Sequence, residues 1–159
     1  MISNPDPAVK AKEYAFLLLK FRQRSEKEIS ERLKQKKFPQ EVIARTITFL
    51  REKKFIDDGL FARAWIRERL ARSLGPRRIR QELGLKGISK EIIESGLQEL
   101  EGTYSEAQTA EELAKRRFAS LKDIDPRAAK RRIYAYLLRR GFSPDAVIGA
   151  VNQLDNSSE

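Results

Sequence analysis

Two adjacent aspartates, Asp57 and Asp58, open a stretch in which carboxylates, cations and an indole lie close together. The segment 55–70 reads FIDDGLFARAWIRERL and contains the only tryptophan of the chain, Trp65, with arginines at 63, 67 and 69. Paired carboxylates beside cations could form an acid/base site. They could equally cap a helix, because an aspartate side chain accepts a free backbone N–H at a helix start. No partner base, metal-ligand spacing or pocket signal accompanies the pair, so capping is the favoured interpretation.

The composition removes most catalytic chemistry. The chain has 159 residues with no cysteine and no histidine, so thiolate nucleophiles, thiolate metal sites and the usual general base are absent. No GxxxxGK[ST] or GxGxxG motif offers a phosphate-binding loop, and no calcium-loop spacing occurs. We therefore expect no cofactor, no metal and no catalytic residue. The sequence also lacks a signal-peptide-like apolar run and an apolar segment of membrane length, which predicts a soluble, cytoplasmic protein.

Positive charge dominates and is unevenly distributed. The 33 Lys and Arg exceed the 23 Asp and Glu by 10, which points to a polyanionic partner: nucleic acid, an acidic protein surface or an anionic membrane. Residues 62–86 hold eight basic and two acidic side chains, and residues 115–140 hold ten and two. Between them, residues 87–112 hold one and seven. The pattern predicts a basic stripe interrupted by an acidic helix, rather than a uniformly solvated surface.

The elements that position these residues come from a repeated unit. Segments 28–50, 78–100 and 132–154 align without insertion when each starts at its first aliphatic residue, which is Ile29, Ile79 or Ile133. Apolar residues then recur at helical spacing, first on a short helix and then on a second, amphipathic helix. Each repeat therefore contains a helical pair joined by a short turn.

The turn inside the pair carries helix stop and start signals in two of the three repeats. Gly87 and Gly141 suit the left-handed residue that follows a helix, and Ser89 and Ser143 suit the next N-cap. The first repeat has Lys37 at the glycine position, so we expect its turn to be less regular.

A further amphipathic helix precedes each pair. Its apolar positions are Tyr14, Leu17, Leu18 and Phe21 in the first repeat, Phe61, Ala62, Trp65, Ile66 and Leu70 in the second, and Ala107, Ala110, Leu113, Ala114 and Phe118 in the third. The predicted fold is all-α, with tandem three-helix repeats (helix-turn-helix-like modules) at 8–56, 57–102 and 103–155 and flexible termini at 1–7 and 156–159. One module buries little apolar surface alone, so neighbours must stack. We expect an elongated array that can follow a curve; the alternative is one globular bundle of nine helices.

Arg69 is the unusual residue on the second of these preceding helices. At 100° per residue it falls inside the apolar arc, beside Trp65. A buried guanidinium is costly unless it is paired. We therefore predict that Arg69 is partly buried and bonded to backbone carbonyls or to a carboxylate of Asp57, Asp58 or Glu82. Trp65 itself is interpreted as a packing residue between modules rather than a platform for base stacking.

Residues 57–88, DDGLFARAWIRERLARSLGPRRIRQELGLKGI, resemble the signature of the RecX family, regulators of the RecA recombinase. The matching positions are Asp57-Asp58, Phe61-Ala62, Trp65-Ile66, Arg69, Gly75, Ile79, Glu82-Leu83 and Lys86-Gly87-Ile88. The SEKEISERLKQKKF and FIDD segments of the first module fit the same family, and the resemblance covers residues 11–154. Gly84 departs from the pattern, and as a weak helix former it predicts that its helix ends early.

The resemblance implies a protein that is not an enzyme and that binds the RecA–DNA filament, lies in its helical groove and bridges neighbouring protomers. It implies inhibition of the recombinase, ATPase and co-protease activities of RecA in recombination, DNA repair and the SOS response. Some family members also bind DNA. We expect a monomer that binds the RecA filament. It is also expected to bind single- or double-stranded DNA through phosphate contacts, and no membrane is expected among its partners.

Two sets of residues are candidates for these roles. The expected partner- or DNA-binding residues are Arg63, Arg67, Arg77, Arg78, Arg80, Lys86, Lys130, Arg131, Arg132, Arg139 and Arg140. The expected structural residues are Asp57, Asp58, Phe61, Trp65, Arg69, Gly75, Ile79, Leu83 and Gly87. Reversing Arg77, Arg78 and Arg80 to Glu is expected to weaken filament binding while the fold melts normally.

Direct DNA binding is the alternative function. The helical pair at 77–100 resembles a helix-turn-helix, whose second helix would enter the major groove. That helix reads SKEIIESGLQEL and is acidic, so it would meet phosphate with the wrong sign. DNA binding would then be nonspecific and directed at the backbone through the basic stripe. A nuclease or other hydrolase lacks an assembled site.

Overall fold

The computed structural model describes residues 4–156, and the regular structure in that range is helical. Its helices are α1 (Pro7–Phe21), α2 (Glu26–Gln35), α3 (Gln40–Glu52), α4 (Asp58–Ala71), α5 (Pro76–Leu85), α6 (Lys90–Gln98), α7 (Glu106–Ser120), α8 (Pro126–Arg139) and α9 (Pro144–Asn156). No strand occurs among these residues, apart from an isolated bridge between Glu101 and Tyr104. The all-α prediction is confirmed. Within the same range, no helix is both long enough and apolar enough to cross a membrane.

The helix ends differ slightly from the predicted module limits. The first helix begins at Pro7 and the last ends at Asn156, so each extends one residue beyond the modules predicted at 8–56 and 103–155. Residues 1–3 and 157–159 of the predicted flexible termini lie outside the described residues. The fifth helix continues through Gly84 to Leu85, so the early end predicted from Gly84 is wrong. A Cβ at Gly84 would meet no atom within 4 Å, and one glycine costs only about 1 kcal/mol in a helix that is held by packing.

Several helices begin at the caps that the sequence offers. Ser25 and Glu28 form a reciprocal capping box at the start of α2. The side chain of Asp125 accepts the Ala128 N–H at 3.0 Å before α8. Ser89 and Ser143 each accept a main-chain N–H at 3.3 Å, on α6 and α9 respectively. The N-caps predicted at these two serines are confirmed.

The paired aspartates cap two different helices. Asp57 Oδ1 accepts the Leu60 N–H at 3.0 Å and thereby caps α4, as predicted. Asp58 Oδ1 instead accepts the Glu26 N–H at 3.0 Å and so serves the start of α2. Burial raises the pKa of Asp58, and the hydrogen bond from Glu26 only partly offsets that effect. The pair therefore links the start of α4 to the start of α2, and neither carboxylate is arranged as an acid/base partner of the other.

The turn inside the helical pair has the same form in all three modules. The amide after the turn donates to the carbonyl of the last buried leucine, from Phe38 to Leu33, from Ile88 to Leu83 and from Phe142 to Leu137. The left-handed residue has φ of 62° at Lys37, 77° at Gly87 and 93° at Gly141. The expectation of a less regular first turn is wrong, because Lys37 adopts the left-handed conformation at a cost of about 1–2 kcal/mol.

Contacts divide the chain into two compact units that do not coincide with the three modules. One unit comprises the described part of Met1–Arg63 together with Leu83–Ile93, and the other comprises Ala64–Glu82 with the described part of Glu94–Glu159. The helices of the middle module, α4, α5 and α6, each contribute residues to both units.

The first unit has its core between α1, α2 and α3. The buried members are Ala11, Ala15, Leu18, Ile29, Leu33, Ile43, Ile47, Leu50 and Ile56. Two of the positions used to predict α1, Leu17 and Phe21, are instead exposed by 51% and 76%. The helix packs through the smaller Ala11 and Ala15, which let backbones approach closely.

The second unit has its core between α7, α8 and α9. The buried members are Ala110, Ala114, Ile133, Leu137, Phe142, Val147, Ala150 and Leu154. In the middle module, Phe61, Ala62 and Ile66 are buried on α4, and Ile79 and Leu83 on α5. Trp65 is half-buried on the same helix as Phe61.

Within the first unit, the turn of the second module lies against the start of α2. Ser25 Oγ donates to the Lys86 carbonyl at 2.7 Å, and Lys27 Nζ donates to the Leu85 carbonyl at 3.3 Å. A Cβ on Gly87 would overlap the Lys27 side chain. Gly87 is therefore required both by its positive φ and by this close approach.

Within the second unit, the turn of the third module lies against the start of α5 in the same way. The Gly75 N–H donates to the Arg140 carbonyl at 2.8 Å, and the Arg77 N–H donates to the Gly141 carbonyl at 3.0 Å. A Cβ on Gly75 would overlap the main chain of Gly141, and a Cβ on Gly141 would overlap Arg78. Both glycines are needed for this contact.

The two contacts are equivalent in the repeat. Ser25 and Gly75 both stand four residues before the first aliphatic residue of their repeat, and Gly87 and Gly141 both stand eight residues after it. In each case the left-handed turn of one module covers the N-terminus of the second helix of the module before it. We name this contact the turn–helix junction.

Candidate interaction surfaces

Trp65, Arg69 and Glu82 form a polar cluster between α4 and α5. Arg69 Nε donates to Glu82 Oε2 at 2.8 Å, and Trp65 Nε1 donates to the same oxygen at 3.0 Å. The Arg69 guanidinium lies 4.2 Å from the centroid of the Trp65 ring. The side chain of Arg69 is only 18% exposed. The prediction of a partly buried, carboxylate-paired Arg69 is confirmed, with Glu82 as the partner.

The surroundings of Glu82 favour the charged form of its carboxyl. Burial alone would raise the pKa of this carboxyl, but hydrogen bonds from Trp65, Arg69 and Arg78 outweigh it and lower the pKa. Arg78 Nε donates to the other oxygen at 3.2 Å. One carboxylate thus accepts three donors from two helices, which makes it a positioning group for α4 and α5.

Six of the eleven cations predicted to bind a partner have contacts within the chain, and Arg63 is one of them. Arg80 binds Glu94 through two nitrogens, at 2.7 and 3.1 Å. Lys86 Nζ donates to Glu28 Oε1 at 2.6 Å. The others are Arg78 with Glu82, Lys130 with Asp155, and Arg140 with the carbonyls of Arg72 and Ser73.

These contacts correct the expectation for the triple reversal of Arg77, Arg78 and Arg80. All three side chains are exposed, as predicted, but two of them pair with carboxylates. Glutamate at either position would face another carboxylate and repel it. The fold of that variant is therefore expected to melt earlier, so it does not test binding alone.

The acidic stretch between the two basic ones also has contacts within the fold. Glu94 of α6 binds Arg80 of α5, and Glu106 Oε1 accepts the Ser143 N–H at 2.6 Å beside the start of α9. The basic stripe expected from the sequence is thus partly neutralised at α5. In the other predicted basic segment, on α7 and α8, four arginines form no ion pair with a described residue.

An open cleft of about 510 Å³ between α7 and α8 is lined by Arg117, Arg131, Arg132 and Arg139 together with Tyr136. The remaining lining residues, Leu121, Ala128 and Ala135, are apolar, and no carboxylate is among them. We name this site the arginine cleft. None of its four arginines has an ion-pair partner among residues 4–156. Four uncompensated guanidiniums around one concavity suit phosphate or carboxylate groups of a partner.

Tyr136 holds part of this cleft in place. Its ring packs against the core of the second unit, and the guanidiniums of Arg117 and Arg140 lie 5.3 and 5.6 Å from its centroid. The sequence reasoning missed Arg117 as a site residue. A signal was available, because Arg117 is exposed but stands three residues after the buried Ala114, beside the apolar face of α7.

The other predicted cations differ in exposure. Arg67, Arg77, Arg131, Arg132 and Arg139 are exposed. Arg63 was predicted to be exposed but is half-buried. In the described part of the chain, no group of three acidic side chains is arranged to hold a metal ion.

The fold and its surfaces define the class of the protein. It is an all-α protein built of consecutive three-helix modules, with an open cleft that four arginines line.

The chain belongs to the RecX family of regulatory proteins. Models of the first, second and third three-helix domains of RecX match residues 11–50, 57–97 and 105–151. The regulatory protein RecX of Clostridium perfringens (strain 13 / Type A) is 30% identical over 158 residues, which cover 98% of this chain and 74% of the relative. That of Streptomyces coelicolor (strain ATCC BAA-471 / A3(2) / M145) is 29% identical over 149 residues, which cover 93% and 79%.

Solved structures agree with this assignment. A crystal structure of regulatory protein RecX is 27% identical and superposes with a TM-score of 0.79, covering 89% of this chain and 71% of that one. RecX from Lactobacillus salivarius superposes with a TM-score of 0.81 at 24% identity, covering 95% and 98%, and supports the fold. The resemblance inferred from residues 57–88 is confirmed.

Proposed function

We propose that this protein binds the RecA nucleoprotein filament in its helical groove and inhibits the recombinase, ATPase and co-protease activities of RecA. On this proposal it acts as a monomeric, cytoplasmic regulator and catalyses no reaction itself. The observation that carries the proposal is the match of all three modules to RecX domains, over residues 11–50, 57–97 and 105–151.

The arginine cleft supplies the chemistry for capturing such a filament. A filament of protein on DNA offers phosphate oxygens and carboxylates, and guanidinium groups bind both through paired hydrogen bonds. Electrostatic attraction of this kind accelerates association, and added salt weakens it. We propose Arg131, Arg132 and Arg139 as the main contacts, with Arg67 and Arg77 as further contacts of α4 and α5.

Cations that already bind groups of this chain are expected to contribute less to filament binding. Arg78, Arg80, Lys86, Lys130 and Arg140 already bind groups of this chain. An exposed ion pair can exchange partners at little cost, because it contributes only about 0–1 kcal/mol. They therefore add to the positive field of the surface without being the principal anchors.

A titration of the DNA-dependent ATPase of RecA tests the proposal, with a gel shift on bare DNA in parallel. Inhibition at concentrations too low to bind bare DNA supports filament binding. Unchanged ATPase at concentrations well above those that saturate bare DNA would refute it.

Direct, nonspecific DNA binding is the second candidate, and the arginine cleft is the observation in its favour. Insertion of α6 into the major groove, as in a helix-turn-helix protein, is disfavoured. Glu94 of this helix carries negative charge and is paired with Arg80 of α5. Contacts would be made to phosphates, so affinity would fall steeply with salt and ignore sequence. Equal potency in the ATPase and gel-shift titrations would favour this candidate.

A further inference from the structure

The first unit carries an exposed aromatic surface that the arginine cleft does not include. Phe16, Phe55 and Leu60 are exposed by 36%, 52% and 52%. The rings of Phe16 and Phe55 meet edge to face with centroids 4.8 Å apart, and Phe16 meets Phe49 in the same manner at 6.4 Å. We name these four residues the aromatic patch. A contiguous apolar surface of this kind marks an interaction site, unlike single scattered apolar residues.

The turn after α3 presents Phe55 to solvent. Lys54 has a positive φ of 59°, and the Phe55 N–H donates to the Leu50 carbonyl at 2.8 Å. This left-handed helix end fixes the direction of the chain at the residue that follows. The main chain at Phe55 is therefore tied to α3, while half of its side chain is exposed.

A dimple of about 140 Å³ opens beside the patch. Its apolar walls are formed by Leu19, Phe55, Ile56, Leu60 and Phe61. An apolar cavity of about 150 Å³ accepts a benzene ring, whereas sites for whole small ligands span about 300–1,000 Å³. The dimple therefore fits one apolar side chain of a partner.

The rim of the dimple is positively charged. Arg24 and Lys54 line it. Lys12 adds positive charge at another part of the patch, where its Nζ lies 4.1 Å from the centroid of the Phe49 ring. Neither lysine has an ion-pair partner among the described residues. Burial and the neighbouring Arg22 lower the pKa of Arg24, as expected where positive charge is in excess.

The single carboxylate in the lining does not neutralise this rim. It belongs to Asp57, which accepts the Leu60 N–H and caps α4. A second copy of this chain would bring an equally positive rim and be repelled. A nucleobase stacks on a free ring face, but Lys12 lies over the ring of Phe49.

We propose that the aromatic patch is a docking site for a protein partner that inserts one apolar side chain flanked by carboxylates. The inference rests on the function proposed above, under which that partner is a RecA protomer of the filament. The patch would then hold protein while the arginine cleft meets the more anionic parts of the assembly. Apolar anchors seated in small pockets commonly contribute most of the affinity of an interface.

Substitutions at Leu60 separate the apolar part from the charged part. Leu60 lies in the first turn of α4, where an acidic residue favours the helix dipole, so Leu60→Asp leaves the fold intact. Leu60→Asp removes the apolar contact and repels a carboxylate, whereas Leu60→Lys removes only the contact. Ile148→Asp and Ile148→Lys are the matched controls, because Ile148 is an exposed apolar residue of the second unit.

Binding to RecA filaments assembled on single-stranded DNA is the measurement, with bare single-stranded DNA and sedimentation of the chain alone beside it. Leu60→Asp is expected to weaken filament binding at least about tenfold and Leu60→Lys by less, while both Ile148 variants bind like wild type. If both Leu60 variants bind filaments as tightly as the wild type, the role proposed for the aromatic patch is refuted. The function proposed for the whole protein would be unaffected.

Other results would also overturn the inference. An equal loss of bare-DNA binding would make the patch a nucleic-acid surface, and a wild-type dimer that Leu60→Asp dissociates would make it a self-association surface. No filament binding by the wild-type chain would refute the proposed function itself, and this inference with it.

Discussion

The main-chain N–H of Gly75 donates a hydrogen bond of 2.8 Å to the carbonyl of Arg140, a residue of the following module. The contact brings two backbones together where neither Gly75 nor Gly141 leaves space for a Cβ. Modules are therefore joined by close backbone packing as well as by apolar side chains. Arg140 reinforces the same junction, because its guanidinium donates to the carbonyls of Arg72 and Ser73.

Replacing Gly141 with alanine should destabilise the second unit by about 2–4 kcal/mol, because a left-handed non-glycine residue is strained and the added methyl overlaps Arg78. Gly102→Ala is the matched control. Gly102 has a φ of 92°, close to the 93° of Gly141, but a Cβ there would meet nothing within 4 Å. Urea unfolding of both variants checks this. Equal losses would mean that strain alone acts and that the junction tolerates a side chain.

Glu82→Gln should cost about 1–3 kcal/mol, because three donors lose their charged acceptor. Tryptophan fluorescence during urea unfolding reports on the site directly, since Trp65 is the only tryptophan and donates to Glu82 at 3.0 Å. Glu94→Gln removes a carboxylate from the more exposed pair with Arg80 and should cost less than about 1 kcal/mol. A Glu82 variant no less stable than the Glu94 variant would contradict the structural role of the cluster.

Acid should destabilise the first unit through Glu28. Burial alone would raise the pKa of Glu28, but hydrogen bonds from Arg22, Lys86 and the Ser25 amide lower it to about 2. A depressed folded-state pKa stabilises the fold above the ordinary value of about 4.3, and this stabilisation is lost as pH falls toward 2. The contribution is at most about 3 kcal/mol.

Thermal unfolding of wild type and Glu28→Gln between pH 7 and pH 2 tests this prediction. The difference between them should shrink steadily below about pH 4.3. Burial raises the pKa of Asp58, so its effect on stability as the pH falls is opposite to that of Glu28. Asp58 is present in both proteins, and its effect therefore cancels in the difference between them. Glu41→Gln serves as the control, since the Glu41–Arg45 pair is 74% exposed on both sides. A difference that is independent of pH would show that Glu28 acts through packing alone.

Charge reversal in the arginine cleft should weaken filament binding without changing the melting temperature. The variant Arg131→Glu/Arg132→Glu alters two cleft arginines that have no ion-pair partner among residues 4–156. Lys115→Glu/Arg116→Glu changes the net charge equally on α7, at positions that do not line the cleft. We expect the first variant to lose affinity about tenfold more than the second, with a shallower dependence on salt. Equal losses would point to overall charge rather than to the cleft.

Repetition and apolar spacing predicted the helices well, because both follow from local geometry. The Arg69 pairing was also predictable, since a cation inside an apolar arc requires a partner. The exposure of side chains on α1 was not predictable, because the small Ala11 and Ala15 are buried while the larger Leu17 and Phe21 are exposed. Which cations pair within the chain could not be predicted, for a related reason. Whether Arg80 or Arg131 meets a carboxylate depends on which helices pack together, and residue counts do not contain that information.

The turn–helix junction also sets which residues a neighbouring module must meet. The first module offers Lys37 where a junction needs glycine. In the third module, the position equivalent to Ser25 and Gly75 is Ala129, which is fully buried one turn inside α8. A module added before the first would meet a bulky turn, and one added after the third would find no open helix start. Each junction therefore depends on the residue types at two fixed positions, and two copies fused end to end would lack both at the seam and behave as separate triplets.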